Sequence, residues 1–328
     1  MKAWLLDSLD GIEHLRLAQI ADPQPGPQDA VLEILYAALN PADRYLAEGQ
    51  YPAKPLFPHI LGRDGVGTVL KIGSEVGGDI QIGQRYLILR GDTGVSRPGT
   101  LAEQTAVAAD SLVPVPKDWS LPEAAGASLA YLTAYQAITH WPDLPEQAVI
   151  LITGASGGVG VAATQLAHAM GHTVIGLSRN PAKAEKLKQI GAANVLDPDS
   201  EGVWRKQIGS RKIDLAIDNI GGPLFSHVID TLGQHGRVSC VGRLAGPVPQ
   251  FNTASLFFRL LQIVGIHVGA YTRAESQAAW KQILKLLDRH GSRPLVDHVY
   301  PFEQISQAFA RLKQGPMGKV VIAVKAVK

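Results

Sequence analysis

The residues best placed to do chemistry form the string Thr153-Gly-Ala-Ser-Gly-Gly-Val-Gly160, which follows an apolar run at 148–153 and precedes a helical pattern at 161–170. Glycines at this spacing let a backbone come close to a pyrophosphate, whose charge then meets the free N–H groups and positive end of the helix. Against the dinucleotide fingerprint the string reads Ala155-x-Gly157-x-x-Gly160, with alanine in the first place. Ala155, Ser156, Gly157, Gly158, Val159 and Gly160 are therefore candidate phosphate contacts. A glycine-rich string alone is a weak signal. Its strand–turn–helix setting is what favours dinucleotide binding over a merely structural tight turn.

Two rival chemistries share the string. Gly154-x-Ser156-x-Gly158 fits the nucleophile elbow of α/β-hydrolases, and Asp218 and His235 follow in the right chain order, but no HGGG-type oxyanion segment lies upstream. Thr153-Gly-x-x-x-Gly158-x-Gly160 resembles the cofactor turn of short-chain dehydrogenases, which need a Tyr-x-x-x-Lys pair downstream. Tyr271 and Tyr300 are followed at that spacing by Glu275 and Gln304, so that pair is missing.

Cofactor choice is written about 20 residues further on, where an NAD enzyme places an acid for the ribose 2′-hydroxyl. Here the second apolar run ends Val174-Ile-Gly-Leu-Ser-Arg179, with Ser178 in the acid's place. Serine can donate to a 2′-phosphate and Arg179 can meet it with a planar fork, while Lys183 stands one helical turn later. The expected cofactor is NADP(H); the plainer alternative leaves Arg179 and Lys183 as solvated charges.

These residues need a frame. Residues 1 to about 120 carry short apolar runs, as at 31–36 and 85–89, punctuated by Pro23-Gln-Pro25-Gly-Pro27, Gly77-Gly78 and Pro98-Gly99, a pattern of irregular β structure. Ser120-Leu-Pro-Glu123 is a capping box opening a helix expected to run towards 137. Apolar runs at 148–153, 173–178, 194–197, 213–218, 237–242 and 262–268 then alternate with helical patterns and predict a parallel, doubly wound sheet. Asn180-Pro181 supplies a helix start and Gly191 a stop. A charged helix at 274–290, a strand at 296–302, a short helix and a strand at 319–324 complete the chain.

The 328 residues suit two domains. Net charge is +2 without a basic run, which leaves no nucleic-acid footprint. The single cysteine, Cys240, excludes an intrachain disulfide and a thiolate zinc cluster, and its setting in Val238-Ser-Cys-Val241 reads as core rather than nucleophile. The start lacks a signal-peptide core and no apolar run reaches about 18 residues, so the expectation is a cytoplasmic protein without a membrane span.

With these residues in view, the whole chain resembles the medium-chain dehydrogenase/reductase superfamily, and within it the zinc-independent quinone oxidoreductases of ζ-crystallin type. The resemblance is carried by Asn40-Pro-Ala-Asp-Arg-Tyr45, Gly49-Gln-Tyr-Pro52, Gly62-Arg-Asp-Gly-Val-Gly67, Gly99-Thr-Leu-Ala-Glu103, the glycine turn, Asp218-Asn-Ile-Gly221 and Gly318-Lys-Val-Val-Ile322. It implies a GroES-like β-rich catalytic domain (1–121 and 271–328) around an inserted Rossmann domain (122–270) that binds NADP(H). It places residues matching Asn40, Tyr45 and Tyr51 by the nicotinamide: Asn40 as a hydrogen-bonding orienter, either tyrosine as proton donor or carbonyl anchor, or as aromatic packing alone. Thr133 is expected near the nicotinamide end, with Gly221 and Gly242 keeping two strand ends open for the cofactor. Zinc-dependent relatives carry a cysteine at the place of Asn40 and a histidine at that of Arg63, and catalytic zinc needs three protein ligands, so a metal-free site is implied. His59, nearby in sequence, reads as a hydrogen-bonded loop residue.

Without a Lewis acid nothing stabilises an alkoxide, whereas a conjugated carbonyl delocalises the developing charge. The expected reaction is hydride transfer from NADPH to a quinone or another conjugated carbonyl, chiefly by positioning. An enone or enoyl-thioester double-bond reductase is the alternative, with Arg44, Arg90 and Arg97 as candidates for a thioester's phosphates. A non-catalytic NADPH-binding structural or RNA-associated protein is the alternative of another class. The last strand of the sheet, at 262–268, is the expected pairing edge of a homodimer.

Overall fold

The computed structural model describes residues 1–328 apart from Arg90, Ser200, Ser210, Arg211, Pro247, Val248 and 326–328. The chain forms two compact units, one comprising Met1–Leu129, Tyr271–Ala278 and Arg293–Lys328, the other Ala130–Ala270 and Ala279–Ser292.

The first unit holds β1 (Lys2–Leu5), β2 (Arg16–Gln19), β3 (Asp29–Ala38), β4 (Asp64–Ile72), β5 (Arg85–Ile88), β6 (Gln104–Ala108) and β7 (Leu112–Pro114), with α1 (Pro41–Ala47) and α2 (Leu121–Ala125). The helix α3 (Ser128–Thr139) has its first two residues in this unit and the rest in the second. The strands β1 and β2 pair with each other. The long strand β3 is the spine of the main sheet because it is antiparallel to β4, to β6 and to a strand from the far end of the chain, Lys319–Ala323 (β15), beside which Val296–Pro301 (β14) lies parallel. Leu32, Ile34, Leu61, Leu101, Phe309, Val320 and Ile322 fill the core, each contributing about 1.5–3 kcal/mol by burial. The tail strands thus complete the sheet of the first unit.

The capping box forms: the Ser120 N–H donates to Glu123 Oε2 at 2.7 Å and the Glu123 N–H to Ser120 Oγ at 3.4 Å. The single helix expected from 120 towards 137 is instead two. The break falls at Gly126, whose N–H closes α2 on the Pro122 and Glu123 carbonyls, and where a Cβ would lie 3.0 Å from the Lys319 Cβ. The backbone gives way to let β15 pass.

The second unit is built on β8 (Val149–Ile152), β9 (Thr173–Leu177), β10 (Ala192–Leu196), β11 (Ile213–Asp218), β12 (Leu232–Cys240) and β13 (Gln262–Gly265), all parallel, in the order β10-β9-β8-β11-β12-β13. Both faces of such a sheet are covered, which is why Val149-Ile-Leu-Ile152 reads as an unbroken apolar run. The helices are α4 (Gly158–Ala169), α5 (Pro181–Gln189), α6 (Leu224–Thr231) and α7 (Ala254–Arg259). A further helix, α8 (Arg273–Arg289), is shared between the units by residue, and α9 (Ile305–Lys313) belongs to the first. Asn180 caps α5, accepting from the Lys183 N–H at 3.2 Å, and Gly191 follows its end at φ +118°. Residues 122–129 group with the first unit and 279–292 with the second.

Candidate functional site

In the second unit the strand order reverses between β8 and β11, and ligands of open α/β sheets bind at the carboxyl ends of strands at such a switch point. The Thr153 hydroxyl donates to Asp218 Oδ1 at 2.6 Å and accepts from the Asn219 N–H at 2.9 Å, and the Asn219 amide donates to the Thr153 carbonyl at 2.8 Å. Asp218 also accepts from the Gly221 N–H at 3.1 Å, and its carbonyl from the Gly242 N–H at 3.1 Å. The Asp218 carboxylate therefore clamps the turns after β8 and β11 together, and its backbone carbonyl holds the turn after β12.

Gly154 holds φ +57°, and a Cβ on Gly160 would lie 2.3 Å from the Gly154 carbonyl oxygen, so the turn closes only with glycine there. Ala155 is buried and its N–H donates to the Leu177 carbonyl at 3.2 Å. Gly157 caps α4 without a side-chain bond, no acid lies in the first turn, and the N–H groups of Gly158, Val159 and Gly160 have no acceptor among the described residues. Three first-turn donors beside glycine, next to a half-buried Ser156, fit a pyrophosphate. Ser178, half-buried, ends β9 with its N–H on the Leu196 carbonyl at 3.0 Å. Arg179 is exposed and has no carboxylate partner among the described residues; Lys183 lies half-buried in the first turn of α5. Thr133 is buried within α3.

The hydrolase geometry does not form. Asp218 is committed to the clamp at the carboxyl end of β11, whereas β12 pairs Arg237 with Leu215, which puts His235 towards the opposite end of the strands. Cys240 ends β12 half-buried, and burial, then the Asp218 charge, pushes its thiol up to about 11.

In the first unit Asn40 sits in a buried polar network. Its N–H donates to Asp43 Oδ2 at 2.8 Å, opening α1. Its amide nitrogen donates to Asp64 Oδ2 at 3.0 Å, and its amide oxygen accepts from Lys319 Nζ at 2.7 Å. Lys319 also donates to Asp64 Oδ2 at 3.0 Å, and the other Asp64 oxygen accepts from the Ser128 hydroxyl at 2.8 Å and the Leu129 N–H at 3.1 Å. Lys319 is 5% exposed and Asp64 1%, so this is an ion pair withdrawn from water. Both ends of the Asn40 amide are engaged within the protein. Asp43 Oδ1 is buried without a hydrogen-bond partner among the described residues, and burial pushes this carboxyl up to about 6 against the pull of the Asn40 N–H and the Arg63 charge.

Tyr51 is half-buried; its hydroxyl accepts from Arg63 Nη1 at 3.1 Å, and the guanidinium carbon lies 5.6 Å from the ring centre. Tyr45, on α1, lies under Arg44, whose guanidinium carbon is 5.2 Å from its ring centre. Of the arginines considered for thioester phosphates, Arg97 is held bidentate by Asp29 at 3.0 and 2.6 Å and Arg44 pairs with Glu48 at 3.3 Å. Arg90 lies outside the described residues. His59 is buried, its ring bonded to the Gly94 backbone, and burial lowers its pKa.

The sequence reading missed Asp64, Lys319, Ser128 and the clamp made by Thr153 and Asp218. A lysine leading into the apolar strand Val-Val-Ile322, and an aspartate inside Gly62-Arg-Asp-Gly, were the available signals.

The alcohol dehydrogenase GroES-like domain family matches residues 26–117 and the zinc-binding dehydrogenase family residues 158–289. A quinone oxidoreductase from Thermus thermophilus, solved also with NADPH, is 29% identical with a TM-score of 0.80, covering 99% of this chain and 100% of that one. A solved NAD-dependent alcohol dehydrogenase is 28% identical with a TM-score of 0.87, over 99% and 100%. The acryloyl-coenzyme A reductase of Sulfurisphaera tokodaii is 28% identical over 94% of this chain and 96% of its own. The chain belongs to the medium-chain dehydrogenase/reductase family, with a GroES-like and a Rossmann-like domain, and is an oxidoreductase.

The zinc that one family description implies does not fit the side chains here. An amide bonded by an ammonium and a guanidinium stand at the two matching positions, and among the described residues no group of three or more His, Cys, Asp or Glu side chains could hold a metal. No described helix is long and apolar enough to cross a membrane.

Proposed function

We infer that the protein is an NADPH-dependent reductase that delivers hydride to a quinone or another conjugated carbonyl without a metal. One observation carries this reading: a dinucleotide-type turn with free first-turn donors coexists with cationic and amide side chains where zinc relatives have ligands. Bound NADPH supplies the hydride. The glycine turn takes the pyrophosphate, Ser178, Arg179 and Lys183 take the 2′-phosphate, and Thr133, Gly221 and Gly242 flank the cofactor. Asn40 braces the acceptor side through its backbone and network, and Tyr51 or Tyr45 meets the carbonyl oxygen. A double-bond reductase acting on enones or enoyl thioesters is the second reading, favoured by the likeness to an acryloyl-coenzyme A reductase.

A homodimer through β13 is part of the same reading. That strand ends the sheet, and Ile263 on it and Phe257, Phe258 and Leu260 beside it are exposed, an apolar edge that a second copy would cover.

The test is steady-state NADPH oxidation with 1,4-benzoquinone and a short enone against NADP⁺ reduction with propan-2-ol, together with elemental analysis. Turnover with the conjugated acceptors, little with the alcohol and no stoichiometric zinc is the expected result. Faster alcohol oxidation, or one zinc per chain whose chelation abolishes activity, would overturn it.

A further inference from the structure

We propose that Arg63 is a positioning residue that acts through Tyr51, making the phenol the proton donor of the reaction and holding the negative charge left on it. This rests on the reductase reading above. The observation behind it is directional: Tyr51 Oη accepts a hydrogen bond from Arg63 Nη1 at 3.1 Å, so the phenol's own hydrogen points elsewhere and is free to be given. Both side chains are half-buried, leaving them reachable by a small molecule, in contrast with Lys319, which is enclosed by Asn40 and Asp64.

A guanidinium suits this task for a physical reason. A neutral phenol gains only an ordinary hydrogen bond from Arg63, but a phenolate gains a charge-assisted one, roughly twice as strong. The interaction therefore strengthens as the proton leaves, which is the condition for lowering a barrier rather than only binding a substrate. Arginine stays charged at any working pH, so the pair needs no metal to supply a fixed cation. Arg63 stands where zinc relatives carry a metal-ligating histidine, so one cation-bearing position serves the substrate oxygen by a different route.

The balance closes. Hydride brings two electrons and one hydrogen nucleus to the β-carbon of an enone, the C=C pair shifts to the bond between the α-carbon and the carbonyl carbon, and the C=O pair moves onto the oxygen, which gives an enolate. The Tyr51 O–H bond breaks, its proton passes to the enolate oxygen, and the enol tautomerises to the saturated ketone. The phenolate, facing Arg63, then regains a proton from water. A quinone follows the same course to its hydroquinone.

A kinetic cycle of Arg63→Met, Tyr51→Phe and the double variant tests the pair, with Arg63→Lys as the conservative control. Each single variant is expected to lose about tenfold or more in kcat with an enone, the value of one charge-assisted hydrogen bond, while KM and the NADPH dissociation constant change little. The double variant should be no slower than the slower single variant, Arg63→Lys should recover part of the rate, and added guanidinium should rescue a cavity variant, Arg63→Ala. Independently of turnover, the Tyr51 ζ-carbon resonance of ¹³C-tyrosine-labelled protein, assigned by its loss in Tyr51→Phe, should move in Arg63→Met while the other tyrosines stay. Losses that multiply in an active enzyme, or an Arg63→Met loss that follows thermal stability, resists guanidinium and leaves that resonance unmoved, would show Arg63 to be structural. A wild type that reduces neither enone nor quinone would remove the reductase reading and this pair with it.

Discussion

The two units recruit opposite parts of the polypeptide. At the glycine turn the groups presented are backbone N–H donors at the start of α4, and the buried carboxylate of Asp218 faces inward to clamp the turns after β8 and β11. Around Asn40 the work falls to ionised side chains, Asp64 and Lys319, sealed from water and joined to an amide and a hydroxyl. A backbone site comes from one contiguous stretch and tolerates a change of neighbours; a buried ionic site is assembled from distant segments and fails when any member is lost.

The largest expected effect breaks the second kind of site and spares the first. Lys319→Met leaves Asp64 and its partners with an uncompensated buried charge, which costs about 3–5 kcal/mol. Chemical denaturation should show that loss, while NADPH titration of the folded protein keeps its affinity. A tenfold weaker NADPH complex would show that the two sites are not separable in this way.

Next in size is the carboxyl of Asp43, raised from 3.8 to about 6 by burial. Below about pH 4 both folded and unfolded chains hold the proton; between about 4 and 6 only the folded chain does, so stability falls as pH rises through that window and stays lower above it. The drop amounts to about 3 kcal/mol. Asp43→Asn keeps an acceptor for the Asn40 N–H but cannot ionise, so the difference between its stability profile and that of the wild type should show this slope. A flat difference from pH 4 to 7 would mean that Asp43 is not held in its proton-bearing form.

The smallest effect concerns the one place where the second unit is read as using exposed charge. Arg179→Ala should weaken NADPH binding by about ten- to hundredfold, the value of one hydrogen bond to a charged group, and leave NADH nearly unchanged. Ser178→Asp should go further and invert the preference by adding a repelling carboxylate. Equal losses for both cofactors in Arg179→Ala would assign the arginine to adenine stacking or to the fold.

The same contrast decides what could be read from the sequence. All six strands of the parallel sheet were legible, because each is a run of apolar residues between turn signals, and the structure sets 213–218 to the residue. The stop at Gly191 and the caps at Ser120 and Asn180 were equally local. The helix break at Gly126 was not, since its cause is the side chain of Lys319, far along the chain. The Asn40 network escaped for the same reason: residues 40, 64, 128 and 319 meet only after β3, β4 and β15 have paired. Arg97 could not be placed from the sequence because its partner, Asp29, lies far back along the chain on β3.

Quinones and enones are soft electrophiles that arylate or alkylate thiolates, and a protein handling them turnover after turnover exposes its own nucleophiles to the same reagents. Here the chain carries a single sulfhydryl, Cys240, with its ionisation pushed up to about 11. At neutral pH the reactive anion is then on the order of one molecule in ten thousand. On the reductase reading, self-inactivation by such substrates is suppressed at the level of composition and of burial, so loss of activity during prolonged incubation with benzoquinone should not track modification of sulfur.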